Sequence, residues 1–231
     1  VKNRCPHREE AADWALEWMQ FLPAKRESRR YVGAHVLTQN DLQAGGEFED
    51  TVAYGGWTMD DHDAAGFWAV KSGRPPTTHH KTPSPYGIPL RSLYSADVEN
   101  LLFAGRCHSA THMAMSSTRV MGTGCSMGQA AGTAAALACR LGTSPAGVLE
   151  RMAELQQLLL ADDAYLPGVV QRFGPLTSEA ELSASRGDPE PLRDGVNRPV
   201  GDDTHAWTAS PGDWAAYTFD RPRRVTTATL V

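Results

Sequence analysis

The stretch that most constrains how this chain can fold is residues 100–141, where a short apolar run, a glycine-punctuated loop and an alanine-rich segment follow one another. Asn100-Leu-Leu-Phe-Ala104, bounded by turn-forming residues, has the length and apolarity of a buried strand in an α/β sheet. A loop opens at Gly105. Ser126-Met127-Gly128-Gln129 has capping-box spacing, so a helix is expected from near Ser126, running through Ala130, Ala134 and Ala138 and stopping at Gly142. A glycine turn ahead of a helix start gathers unpaired N–H groups at the positive end of the helix dipole, which suits an anionic group. Gly122, Gly124 and Gly128 supply that opening. As a dinucleotide fingerprint, Gly122-Thr-Gly124-Cys-Ser-Met-Gly128 is weak: no strand directly precedes it, and the next acidic residue is Glu150. The same small residues would also serve plain helix–sheet packing with no ligand at all.

Around this segment the periodicities predict further elements. Residues 9–21 set Ala12, Leu16 and Met19 on one face, with Trp14 and Trp18 at adjacent helical spacing, which predicts an amphipathic helix ended before Pro23. The basic residues Arg26, Arg29 and Arg30 read as a solvated patch, and residues 31–38 as a strand. Residues 48–59 read as a strand leading into the polar loop Asp60-Asp-His62-Asp63. Prolines at 75, 76, 83, 85 and 89 forbid a helix and leave an ordered loop with a short edge pairing at 86–89, with His79 and His80 facing solvent. Ser144 as cap and Pro145 at the first position begin a second helix, with Val148, Leu149, Met152, Leu155 and Leu159 along one stripe. Residues 166–193 read as a linker, its composition turning to Ser, Glu, Asp, Gly and Pro from 177 onward. From 194 a short-strand pattern, with Trp207, the run 214–219 and the run 225–231, suggests a β domain, and Asp194-Gly195, Trp207 and Trp214 resemble the opening of a discoidin-like or galactose-binding-like β-sandwich, which implies a carbohydrate context.

Composition excludes several partner classes. A net charge of -5 and a pI near 5.9 provide no basic field for nucleic acid or anionic lipid. The longest apolar run, 130–141, is well short of the roughly 20 residues a membrane span needs. Four cysteines without a CxxC pair favour reduced thiols. A metal reading of Cys107, His108 and His112 fails, because the zincin glutamate and a second ligand pair are absent. The chain opens on Val1 rather than Met, without a basic and then apolar stretch, so its natural start and any targeting signal are expected elsewhere.

Taken in order, Asn100-Leu-Leu-Phe-Ala-Gly-Arg-Cys-His-Ser-Ala-Thr-His112, Ser116-Ser-Thr-Arg-Val-Met121 and Gly128-Gln-Ala-Ala-Gly132-Thr-Ala-Ala-Ala136 resemble the C-terminal signature of FAD-dependent oxidoreductases related to fumarate reductase and L-aspartate oxidase. The likeness extends back through Arg26-Glu-Ser-Arg-Arg30, Leu37-Thr-Gln-Asn-Asp41, Gly55-Gly-Trp-Thr-Met-Asp-Asp-His62 and Tyr86-Gly-Ile-Pro-Leu-Arg-Ser-Leu93, covering about 9–161. The resemblance implies the C-terminal part of a Rossmann-like α/β flavoprotein fold over 1–165, with FAD as cofactor. It implies that Gly105 and Arg106 line the ribityl chain and that the amides of Gly122, Thr123, Gly124 and Cys125 face the flavin pyrimidine. Arg106 departs from the acidic residue those relatives carry. It also places Arg119 over the substrate and His108 and His112 in the loop above the flavin.

Independently, arginine grips anionic or hydroxyl-rich groups with a rigid fork, and histidine moves protons near neutral pH. His62, among aspartates that can hold one tautomer, joins the proton candidates. The expected reaction is hydride transfer between flavin and a small polar, carbohydrate-related substrate, completed by an N-terminal half of the same flavoprotein that supplies the dinucleotide-binding unit. Two alternatives stand beside it: a non-catalytic carbohydrate-binding module, and a flavoprotein without net redox turnover.

Overall fold

The core forms where a short strand pair meets the long alanine-rich helix, in a computed structural model that describes residues 4–21 and 29–228. Strand β1 (Thr51–Gly55) pairs antiparallel with β4 (Tyr86–Pro89), Gly55 opposite Tyr86, which is the edge pairing expected of the proline-rich stretch. Nearly every residue of both strands is buried, so the pair is covered on both faces. Its entry depends on a backbone-to-backbone contact. A Cβ on Gly46, whose φ is +60°, would lie 2.3 Å from the Gly87 carbonyl oxygen, and a Cβ on Gly87 would lie 2.3 Å from that of Gly46, so only glycine fits at either position.

Helix α1 (Gln39–Gln43) is started by Thr38, whose hydroxyl accepts the Asp41 N–H while the Asp41 carboxylate accepts the Thr38 N–H at 2.7 Å. A second antiparallel ribbon, β2 (Met59–His62) with β3 (Thr77–His80), corrects the expectation of loop at both places. The β-branched pair Thr77-Thr78 supplies strand preference, and the prolines at 75, 76, 83 and 85 flank the strand without interrupting its pairing.

Helix α2 (His112–Thr118), capped by the Thr111 hydroxyl, is followed after two residues by α3 (Met121–Leu141). Helix α3 therefore starts five residues before Ser126, and the capping-box spacing there is not used. Buried Thr123 and Met127 lie on the same face as Ala130, Ala134, Leu137 and Ala138, and that packing outweighs the low helix propensity of Gly122 and Gly124. Gly142, at φ +63°, ends the helix with its N–H on the Ala138 and Cys139 carbonyls, as the sequence predicts. The second predicted helix begins as a 3-10 segment, Ala146–Arg151, with the Ser144 hydroxyl accepting the Gly147 N–H, and continues as α4 (Met152–Ala161). Its stripe of Val148, Leu155 and Leu159 is fully buried against α3 and β1.

Three expectations are corrected by packing. Residues 9–21 form successive turns and then irregular chain; Trp14, Trp18 and Phe21 are exposed, and without a partner surface among the described residues the amphipathic pattern has nothing to fold against. Pro23 and Arg26 lie outside the described residues. Residues 100–104 do not form a sheet strand: Leu101 and Phe103 exchange backbone bonds with Ser95 and Leu93, and a single bridge joins Leu102 to Tyr94. Residues 31–38 form no strand: bends at 34 and 35 interrupt them, and they are held by isolated bridges from Gly33 to Ser95 and Leu37 to Ala110 and by separate backbone bonds such as Tyr31 N–H to the Cys107 carbonyl.

Beyond α4, α5 (Pro175–Glu179) precedes β5 (Glu181–Ala184), which pairs antiparallel with β6 (Ala215–Thr218). The stretch with linker composition thus contributes a strand to a ribbon with the tail. Residues 225–228 carry no strand, and 229–231 lie outside the described residues. Helices and short strands are mixed along the described residues, and the named strands form three antiparallel pairs. No helix among the described residues is long and apolar enough to cross a membrane.

Candidate active site

The corner between α2 and α3 gathers most of the predicted functional residues. Arg119 is the C-cap of α2, and α3 begins two residues later, so the arginine stands directly beside the amino end of the long helix. That end points unpaired backbone donors outward. The Gly124 N–H already bonds the Val120 carbonyl at 3.0 Å, and Cys125 lies further inside the helical ladder, so within 122–125 only Gly122 and Thr123 retain amides outside it, joined by Met121. This corrects the expectation that all four amides face a ligand.

Gly105, at φ +69°, opens a one-turn 3-10 segment, Gly105–Cys107, against this helix end: a Cβ on Gly124 would lie 3.8 Å from the Gly105 Cα. Arg106 projects into solvent from the same turn. A Cβ at Gly105, Gly122 or Gly128 would meet nothing within 4 Å, so the backbone at those positions is uncovered.

The histidines separate into two kinds. His112 is 56% exposed, and its Nε2–H donates to Asp61 Oδ1 at 2.9 Å. His62 Nε2 lies 3.5 Å from Asp60 Oδ2, and Arg119 Nη2 donates to the Asp60 carbonyl at 2.9 Å with the Asp60 carboxylate at 3.9 Å. Adjacent strand residues project to opposite sides, so β2 offers one carboxylate to His112 and the next to His62 and Arg119. His79, expected to be only a solvent-facing residue, is indeed exposed, but it sits opposite Asp60 in the ribbon, 4.0 Å from Oδ1. The available sequence signal was the Thr77-Thr78 pair, which marks the strand that carries it.

His108 belongs elsewhere. It is fully buried, its Nδ1–H donates to the Gly105 carbonyl at 2.6 Å, and its Nε2 lies 3.2 Å from the Thr118 hydroxyl. Burial pulls its pKa down to about 4, against the opposing effect of the Gly105 bond, so the ring is neutral near pH 7. His108 lies in the loop between Gly105 and α2, but on its buried side, with both ring nitrogens engaged inside the protein. Sequence reading also missed the floor of this region. The Tyr86 hydroxyl is 2.5 Å from Ser117 Oγ, which donates in turn to the Trp57 carbonyl, so α2 is tied to β4 and to the entry of β2.

A model of the FAD dependent oxidoreductase family matches residues 4–159. The chain belongs to that family. No curated protein and no solved structure matches it. As a member of an FAD-binding oxidoreductase family, the protein is an FAD-dependent oxidoreductase acting on a small molecule. The residues present suit the cofactor, because an uncovered glycine backbone and free amides at a helix start offer close approach and donors to an electron-rich edge. Among the described residues no His, Cys, Asp and Glu group is arranged to hold a metal ion, and all four cysteines are free thiols.

Proposed function

We propose that this FAD-dependent oxidoreductase is of the fumarate reductase and L-aspartate oxidase type and transfers a hydride between flavin and a carbon of a polar substrate held at the α2–α3 corner. The observation that carries the reading is the placement of Arg119, between the Asp60 and Asp61 strand and the open amino end of α3. Gly105, Arg106, Gly122 and Thr123 would border the ribityl and pyrimidine side of FAD, with Gly124 and Cys125 behind them. The adenosine side would come from a Rossmann-like dinucleotide-binding unit outside the described residues, the N-terminal half of the same flavoprotein. Bound FAD supplies the hydride acceptor or donor that no side chain can be.

The chain's own residues then have distinct tasks. Arg119 orients an anionic or hydroxyl-bearing substrate through its fork. His112 carries a proton at the ring atom turned away from Asp61, because Nε2–H is committed to that carboxylate and the tautomer is thereby fixed. His62, beside Asp60, is the second proton carrier.

The test is rapid mixing of the full-length flavoprotein with small hydroxy, amino and unsaturated acids and sugars under anaerobic conditions. A member of the panel should bleach the visible flavin band. Arg119→Lys should lower kcat/KM roughly 100-fold, a loss of about 2–3 kcal/mol of substrate positioning. Retention of full activity by that variant would remove Arg119 from the site, and a flavin that no substrate bleaches would leave the protein without net redox turnover.

A carbohydrate context is favoured by Trp214, 54% exposed, and Tyr217 on β6, two aromatic surfaces on the terminal ribbon, which would be the start of a β-sandwich over 194–231. Glycan-array binding lost in Trp214→Ala would support it, and an array without signal would remove it.

A further inference from the structure

The strongest buried polar arrangement that the proposed chemistry does not use is the one around His108. Its ring is fully buried, and it links the carbonyl of a left-handed glycine, Gly105, to the last helical residue of α2, Thr118. The turn is closed from within by the His108 N–H, which donates to the Gly105 carbonyl at 3.2 Å, and the neighbouring bond, Cys107 Sγ to the Ala104 carbonyl at 3.1 Å, is a weak thiol contact. Left-handed glycine is free to leave that conformation, so a second bond to its carbonyl narrows the turn. The His108 ring, at 2.6 Å, supplies that second bond. Its far end is anchored on the helix that leads through Arg119 into α3, so one ring couples the Gly105–Arg106 turn to the α2–α3 corner.

We propose that His108 is a positioning residue for FAD: acting through the Gly105 carbonyl and the Thr118 hydroxyl, it sets the turn that presents Gly105 and Arg106 to the cofactor beside the start of α3. This rests on the reading above that the turn borders the flavin. A carbonyl can only accept, so Nδ1 carries the ring proton and the neutral tautomer is fixed; Thr118, whose hydroxyl also reaches the Ala114 carbonyl at 3.2 Å, faces the Nε2 lone pair. The charged group that acts on the ring is Arg30, whose charge also disfavours the protonated form, beside the Tyr31 N–H that donates to the Cys107 carbonyl.

The experiment uses the full-length protein with its natural flanking sequence, comparing wild type with His108→Leu, His108→Asn and Thr118→Val. FAD dissociation is followed by flavin fluorescence, and the geometry of the bound ring by visible circular dichroism, both well below the melting temperature of each variant. Asparagine places an amide N–H where Nδ1 stands, so His108→Asn should keep the wild-type flavin spectrum and affinity within about threefold. His108→Leu should weaken FAD binding by about tenfold or more, the size of one lost hydrogen bond, and alter the visible dichroism. Thr118→Val loses the same Nε2 contact that asparagine lacks, so it should match His108→Asn. Equal affinity and spectra for leucine and wild type overturn the proposal, as does asparagine behaving like leucine, which would mean a packing role only. If His108→Leu does not fold, the asparagine and Thr118→Val pair decides it: matching losses of FAD affinity of about two- to threefold with the wild-type flavin spectrum support the positioning role, and any other pattern overturns it. Gly124→Leu, which crowds the Gly105 contact, separates the two readings: loss of FAD there with no effect at His108 overturns this proposal alone, and a wild type that binds no FAD overturns both.

Discussion

At the scale of single residues, the most consequential side chains are those whose protonation or shape the interior fixes. His108 has a folded pKa of about 4 against 6.5 in the unfolded chain, so the folded state resists a proton that the unfolded state accepts. Its contribution is complete above pH 6.5 and is lost as pH falls toward 4, a span equivalent to roughly 3 kcal/mol. Denaturant titrations across that window should show a steeper stability loss for wild type than for His108→Leu, and parallel curves would contradict the burial argument. Tyr86 is the opposite case: burial lifts its phenol to about 12, against the Ser117 bond. Its contribution is present below pH 10 and disappears as pH rises toward 12. The same tyrosine forbids a side chain at Gly55, where a Cβ would lie 2.4 Å from the phenol oxygen. Gly55→Ala is expected to destabilise by about 1–3 kcal/mol or more, read as a lower denaturant midpoint at unchanged m value.

At the scale of elements, helix α3 has two unlike faces. Met127, Ala130, Ala134, Leu137 and Ala138 are buried against β1 and α4, whereas Gly122, Cys125, Gly128, Gly132 and Cys139 face outward. Both cysteines on the outer face are accessible, one at the proposed cofactor end and one at the far end. In protein loaded with FAD, alkylation of Cys125 should slow at least tenfold while that of Cys139 is unchanged, an outcome followed by mass spectrometry of the two peptides. Equal protection of the two would move the cofactor away from the α3 amino end. The β2–β3 ribbon shows how an element is hidden by its own composition. Asp60-Asp-His62 reads as loop because strands disfavour aspartate, yet ribbon pairing and contact with α2 place the carboxylates where histidines and Arg119 can use them.

At the scale of the whole molecule, FAD binding and folding are linked, because a ligand that binds only the folded state stabilises it by mass action. Free FAD at about 100 times its dissociation constant should add roughly 2.7 kcal/mol to the stability of the full-length protein, seen as a concentration-dependent rise in Tm. A Tm indifferent to FAD would argue against the flavin site. Local rules were enough to place the Gly142 stop, the Ser144 cap, the apolar stripe of α4 and the 86–89 edge, because each depends on residues within one or two turns of each other. The ordered motifs along 9–161 were likewise enough for the flavin family. The sequence alone could not decide the start of α3, the irregular course of residues 9–21, the pairing of Asp60 with His79, or the burial of His108. Each of these is set by contact with residues far along the chain: Thr123 and Met127 gain a core, Trp14 and Trp18 have none to join among the described residues, and His108 is closed over by α2. Hydrophobic periodicity says which face a segment would bury, and only the tertiary structure decides whether there is a surface to bury it against.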